Sequence, residues 1–195
     1  RRLFAEGTFN AAFIPSYAGA LTKNKIEADN FAQNVFNLLF IILLFIVLVA
    51  EIFMPQLIFI IAPGFYKDPE KLKLAVDLSR ITFPFLFFVC IASFFGAILN
   101  SYNKFAAAAA APIILNVILI GSLFLSQWLN ISDILTLSYA VSFAGFLQLL
   151  ILLFFVRKNF KPILSIKIKI DEKVKFFFNK LLPSIFSSGV TQINI

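Results

Sequence analysis

The sequence predicts an all-α protein, a polytopic transmembrane helix bundle of about six spans. Three observations carry this expectation. Of the 195 residues 61% are hydrophobic, 27 of them Phe, and the mean hydropathy is +0.94; a soluble domain of this size could not hide so much apolar surface. Only 14% of residues are charged, and they gather at the ends of long uncharged tracts. Those tracts are continuous rather than alternating. They therefore read as helices and not as barrel strands, because a backbone in lipid must satisfy its polar groups internally.

A crossing takes about 20 mainly apolar residues. Spans are expected near 1–21, 34–54, 79–100, 105–127, 134–156 and 181–195, with a basic loop at 157–180. No charge lies between Asp29 and Glu51, between Arg80 and Lys104, from Phe105 to Ser132, or from Ile134 to Val156. These four tracts are the clearest spans. The opening stretch "RRLFAEGTFNAAFIPSYAG" is apolar and helix-like apart from its charges, and the stretch from Leu181 begins a further span. The connections carry the punctuation. "TKNKIEADN" is short and polar. "APGFYKDPEKLK" holds the Pro63-Gly64 and Asp68-Pro69 turn signals ahead of a charged, helix-forming stretch. "NSYNK" is so short that its flanking helices should be antiparallel neighbours. "SQWLNISD" is uncharged up to Asp133, and "RKNFKPILSIKIKIDEKVKFFFNK" is long and basic. The chain has no initiator Met, and "FSSGVTQINI" stops inside a helical pattern, so an internal piece of a longer protein is expected.

Charge sets the expected orientation. With six spans, the loops at 22–34, 100–104 and 157–180 share one side and hold eleven Lys and Arg, while those at 51–80 and 126–133 hold four, Lys67, Lys71, Lys73 and Arg80. The richer side is expected to be cytoplasmic. Trp128, Tyr66 and Tyr139 then fall near the interfaces, as an aromatic belt requires. The net charge of +7, distributed at span ends, speaks for lipid headgroups and topology rather than for nucleic acid. "SIKIKIDEKVKFFFNK" is basic and amphipathic, most simply a helix on the anionic leaflet. Anionic membrane lipids are thus an expected partner at the basic loop.

The opening stretch holds the candidate site. A charge at bilayer depth is costly, about 2.5–3.5 kcal/mol at a helix centre on insertion scales, so such groups normally face a protein interior or a wet cavity. Arg2 and Glu6 are four apart and can pair on one helix face. Arg1 belongs to an adjacent face with Ala5, Thr8 and Ala12, and an arginine not neutralised in its own helix can fork a phosphate. The competing reading is that both arginines snorkel to the headgroups. Glu6, Asn10 and the following Pro15 favour the cavity, since a plain anchor helix has no need of them.

Other polar or special residues have simpler readings. Ala106 to Ala111 followed by Pro112 suggests close helix packing, with the proline near the first turn of a span. Pro84 either kinks its span or stands near that span's start. Asn116 and Gln148 are expected to make interhelical hydrogen bonds. Glu51 ends a span and should be solvated. Cys90 is the single cysteine and there is no histidine, so disulfides and Cys/His metal sites within this chain are excluded. No nucleophile–base pair, GxGxxG or P-loop occurs; neither enzyme activity nor a cofactor is expected.

Arg1 to Pro15, "RRLFAEGTFNAAFIP", resembles the second transmembrane helix of the MurJ/MviN family of lipid II flippases, whose stretch runs R-R-[LI]-F-A-E-G-x-F-x-x-A-F-[IV]-P. Further marks follow in the family's order. Ala62-Pro63-Gly64-Phe65 resembles the loop after the third span, "ITFPFLFF" and "GAILNSYNKF" the ends of the fourth, "APIILN" the start of the fifth, and "LPSIFSSGVTQINI" the start of the seventh. The six-alanine run departs from the family's more mixed composition. The resemblance implies one lobe of a two-lobe exporter of the multidrug/oligosaccharidyl-lipid/polysaccharide superfamily, with the first span and the second lobe absent. It implies a bacterial inner-membrane protein, expected as a monomer, that carries the undecaprenyl-pyrophosphate-linked peptidoglycan precursor, lipid II, outward by alternating access. Arg1 then matches a cavity arginine facing the pyrophosphate, and Glu6 a functional glutamate; Arg2 is carried over as the neighbour of the cavity arginine. The alternatives are a flippase for another polyprenyl-linked saccharide, a drug exporter of the same superfamily, and, from another class, a non-transporting scaffold for cell-wall assembly.

Overall fold

The computed structural model describes residues 8–165 together with 174, 175, 177 and 179. These residues form helices and connections, with no strand among them. Seven α-helices follow in order: α1 (Thr8–Leu21), α2 (Lys25–Ile52), α3 (Met54–Ile61), α4 (Pro69–Thr82), α5 (Pro84–Ser101), α6 (Phe105–Leu129) and α7 (Asp133–Val156), with a 3-10 turn at Pro63–Lys67 between α3 and α4. Four tracts are long and apolar enough to cross a membrane: Lys25–Ile52, Pro69–Ser101, Phe105–Leu129 and Asp133–Val156.

Local chemistry sets the ends. Asn24 caps α2 with its side chain, accepting from Ile26 N at 2.9 Å, and Asp68 caps α4 by accepting from Lys71 N at 3.2 Å, with Pro69 at the first helical position. Asn130 ends α6 in the left-handed region at φ 52°, and Ile131 N reaches back to Ser126 O at 3.0 Å; asparagine tolerates that conformation better than most residues. At about 1.5 Å per residue the 28-residue α2 is ~42 Å long against a hydrocarbon core of ~30 Å. Its polar first turns can therefore stand outside the lipid.

α5 is the centre of the bundle, packed against α1, α2, α6 and α7. The core is aromatic. Phe9, Phe13 and Tyr17 recur every four residues along α1 and are fully buried. Phe13 stacks on Phe31 of α2 at 5.8 Å and meets Phe94 of α5 edge-on at 5.2 Å. The outward faces are apolar too: Ile113, Val117, Ile120, Phe124 and Trp128 form one exposed stripe along α6, as a lipid-facing side requires.

Four details differ from the sequence expectations. Pro112 is interior to α6, not in its first turn, because the alanine run, made of the strongest helix former, is already helical from Phe105. Asn116 is exposed and makes no hydrogen bond among the described residues; its face of α6 points away from the neighbouring helices. Glu51 is half-buried with Oε1 unpartnered, because the chain does not leave at Glu51: α3 follows after Phe53, and Arg80 Nε of α4 donates to the Glu51 carbonyl at 3.3 Å. Val174 and Phe177 are buried, with the Phe177 ring edge-on to Phe9 at 5.6 Å. That part of the basic segment thus docks its apolar residues into the bundle instead of lying wholly on a leaflet.

Candidate functional site

Of the four candidate residues, Arg1, Arg2 and Glu6 lie outside the described residues, and Asn10 is in α1. The buried Phe9–Phe13–Tyr17 stripe fixes the rotation of α1. Asn10, one position on from Phe9, is turned about 100° from that stripe. It lines a cleft of about 150 Å³ bounded by α1, α5, α6 and α7.

The cleft exists because small residues let backbones approach while proline and amides break the packing. A Cβ on Gly96 of α5 would lie 3.3 Å from Ala108 Cβ of α6, so α5 and α6 meet closely at that level. Pro112 has no N–H to give the Ala108 carbonyl. Gln148 of α7 donates from Nε2 to Ala111 O at 2.8 Å, the interhelical bond expected of it, and closes one wall. Two amide oxygens remain unmatched and buried, Asn10 Oδ1 and Asn100 Oδ1, and both residues line the cleft. In apolar surroundings an unmatched oxygen is a ready acceptor for an O–H or N–H.

Among the described residues no lining side chain carries a charge. These residues can therefore accept hydrogen bonds from a hydroxyl, an amide or water, and they bring no countercharge for an anion. At the other end of α1, Tyr17 OH donates to Asp29 Oδ1 at 3.2 Å and lies 3.5 Å from the Tyr102 hydroxyl, tying α1 to α2 and to the end of α5. Sequence reasoning missed Asn100, Ser93 and Gly96 of the cleft. Asn100 was legible only as a turn residue, and Gly96 bears meaning only once Ala108 faces it.

Comparison with known proteins gives a consistent answer. The family model described as Lipid II flippase MurJ matches residues 1–195. The chain is 41% identical over 196 residues to the probable lipid II flippase MurJ of Rickettsia prowazekii (strain Madrid E), and 40% identical over 200 residues to that of Rhizobium tropici. Each alignment covers 100% of this chain and 38% of the relative, so the chain spans well under half the length of the curated relatives it matches. A solved structure of "Lipid II flippase MurJ, inward closed conformation" superposes with a TM-score of 0.78 at 28% identity, over 100% of this chain and 39% of that one. A whole-chain family match, relatives at such identity, and a superposing bundle of apolar helices agree. This multi-pass membrane chain belongs to the MurJ family of lipid II flippases.

Proposed function

We propose that this chain is one lobe of a two-lobe lipid II flippase of the bacterial inner membrane and forms one side of the cavity that takes the cargo. The observation that supports this most is the family match over residues 1–195. The protein containing it moves the undecaprenyl-pyrophosphate-linked precursor by alternating access, acting as a monomer and not as an enzyme, with the side bearing 157–180 in the cytoplasm.

The chemistry divides along the opening helix. Arg1 presents a guanidinium fork to the pyrophosphate, which loses water as it leaves the headgroup region. Glu6 holds Arg2 at four-residue spacing, so that Arg2 does not compete for the phosphate. Asn10 is a further four residues on from Glu6, and its unmatched oxygen accepts from the cargo's hydroxyl or amide groups. The neutral cleft fits this division, because the countercharge then falls to the arginines.

The test is complementation of a flippase-depleted strain by the full-length protein. Arg1→Ala should abolish growth at normal membrane levels, and Arg1→Lys should restore it only in part, because an ammonium cannot make the fork. Normal growth of Arg1→Ala would refute the role. Orientation is checked separately with Leu164→Cys in a Cys90→Ala background, Leu164 being exposed. Labelling by an impermeant thiol reagent from outside intact cells would contradict a cytoplasmic loop.

A further inference from the structure

Outside the cleft, the described residues form a charged basin of about 340 Å³ where α7 ends and α2 begins. Among the described residues Lys25, Arg157, Lys158 and Lys161 line it, against one carboxylate, Asp29. Asp29 Oδ1 already accepts the Tyr17 hydroxyl. The four cations have no ion pair among the described residues.

The walls of the basin are held in place. Gln33 exchanges two hydrogen bonds with the backbone of Ile163: Ile163 N donates to Oε1 at 3.0 Å, and Nε2 donates to the Ile163 carbonyl. Asn37 Oδ1 accepts Ser165 N at 3.2 Å. Phe160 is buried, its ring 6.3 Å from that of Phe94, and Lys104 Nζ donates to Asn159 Oδ1 at 2.7 Å. The chain leaving α7 is thus strapped across the start of α2, and the cations project from a fixed frame.

We propose that this basin binds the phosphate of an anionic glycerophospholipid. The shared chemistry is a phosphate ester held by the Arg157 fork and three ammonium groups. A lipid, rather than a soluble phosphate, is its source because aliphatic side chains stand exposed around the cations: Ile163 at 66%, Leu164 at 63% and Ile26 at 72%. Water gives them nothing, whereas the glycerol and upper acyl region of a lipid covers them. The site also lies where the apolar α7 ends and the polar first turns of α2 begin, the level at which headgroups meet a spanning helix. This inference rests on the membrane embedding of the chain and not on its transport role, so either can fail alone.

The test uses the full-length protein in detergent, free of lipid II, titrated with phosphatidylglycerol or phosphatidylcholine and read by native mass spectrometry. Each Lys or Arg near such a phosphate contributes roughly fivefold in affinity. Wild type should prefer phosphatidylglycerol by about tenfold or more, and Arg157→Gln/Lys158→Gln/Lys161→Gln should lose that preference. The control Lys67→Gln/Lys71→Gln/Lys73→Gln removes equal charge at the opposite helix ends and should keep it. Both variants are checked for wild-type circular dichroism and melting; if the triple variant is misfolded, the double variant Lys158→Gln/Lys161→Gln, with both side chains exposed, is read instead. A preference retained without the basin cations, or lost equally in the control, overturns the proposal. So does abolition of the preference by millimolar inorganic phosphate, which would make the site one for soluble phosphate.

Discussion

Gly145 of α7 lies beneath Phe85 of α5, and giving it a side chain should be costly. A Cβ there would stand 2.6 Å from Phe85 Cδ2, 3.2 Å from Phe85 Cε2 and 3.3 Å from Phe88 Cβ. Carbon atoms rest at about 3.5–4.0 Å, so the Phe85 ring would have to move by roughly 1 Å. Phe88 Cβ cannot swing aside, because it is fixed to the backbone of α5. Pushing a ring off its rotamer costs about 0.5–1.5 kcal/mol, and overpacking of this kind about 1–3 kcal/mol in all. Phe85 also lines the cleft, so one direction of escape fills it. Gly145→Ala should therefore lower stability by about 1–3 kcal/mol, a 5- to 150-fold change in the unfolding equilibrium. The measurement is equilibrium unfolding of the full-length protein in mixed micelles. Combined with Phe85→Leu, the same substitution should cost at least about 1 kcal/mol less, a coupling expected of residues in contact. If Gly145→Ala stays within about 0.5 kcal/mol of wild type and the pair is additive, the α5–α7 contact is looser than described.

Three further outcomes are expected. Phe13→Ala removes a fully buried ring that touches Phe9, Tyr17, Phe31 and Phe94; because lipid is itself apolar, the transfer contribution shrinks, and the loss should be about 2–3 kcal/mol, below the 3–5 typical of soluble cores, in the same unfolding assay. Ser142→Ala deprives the Ile81 carbonyl of the hydroxyl that donates to it, which should destabilise by about 1–3 kcal/mol and speed amide exchange around Phe83. Hydrogen bonds from the Lys71 side chain and then its backbone N–H hold the Asp68 carboxyl below its usual range, so the cap is intact above the ordinary carboxylate pKa and is lost as pH falls through the depressed one. Exchange of the Lys71 amide, followed by mass spectrometry, should accordingly match that of an Asp68→Ala variant only at the acid end.

The helices were legible because lipid permits little else: an uncharged tract such as that between Arg80 and Lys104 has to be helical. Which side of each helix is buried was not legible. Leu43 is 5% exposed and Leu48, in the same uninterrupted apolar tract, 53%, yet nothing in their type or neighbours separates them, since protein and lipid both accept leucine. Polar residues were better guides. Gln148 could be read as an interhelical donor because an amide in a span needs a partner; Asn116 followed the same logic and failed because its face has no neighbour to supply one. Asn10 was picked out as a polar residue in an apolar helix, and it does line a cleft. Asn100 escaped notice because a residue beside a turn needs no special reason to be polar. The strap at Gln33 could not be foreseen, being a contact between residues 130 positions apart.

The interruption at Phe83 and Pro84 has a mechanical side. A straight rod from Pro69 to Ser101, 33 residues, would be ~50 Å long, far more than the ~30 Å of hydrocarbon. Divided, it becomes two levers: a short one bearing Lys71, Lys73, Asp77 and Arg80, packed against α3 and α7, and a long apolar one that crosses. Pro84 cannot donate to the Arg80 carbonyl, so the elbow lacks a hydrogen-bond rung and bends cheaply. The Ser142 hydroxyl, reaching from α7 to Ile81, acts as its detent. Phe83 itself keeps helical dihedrals, φ −62° and ψ −35°, so the joint is a missing rung and not a break, and a tie from outside the pair comes from α7.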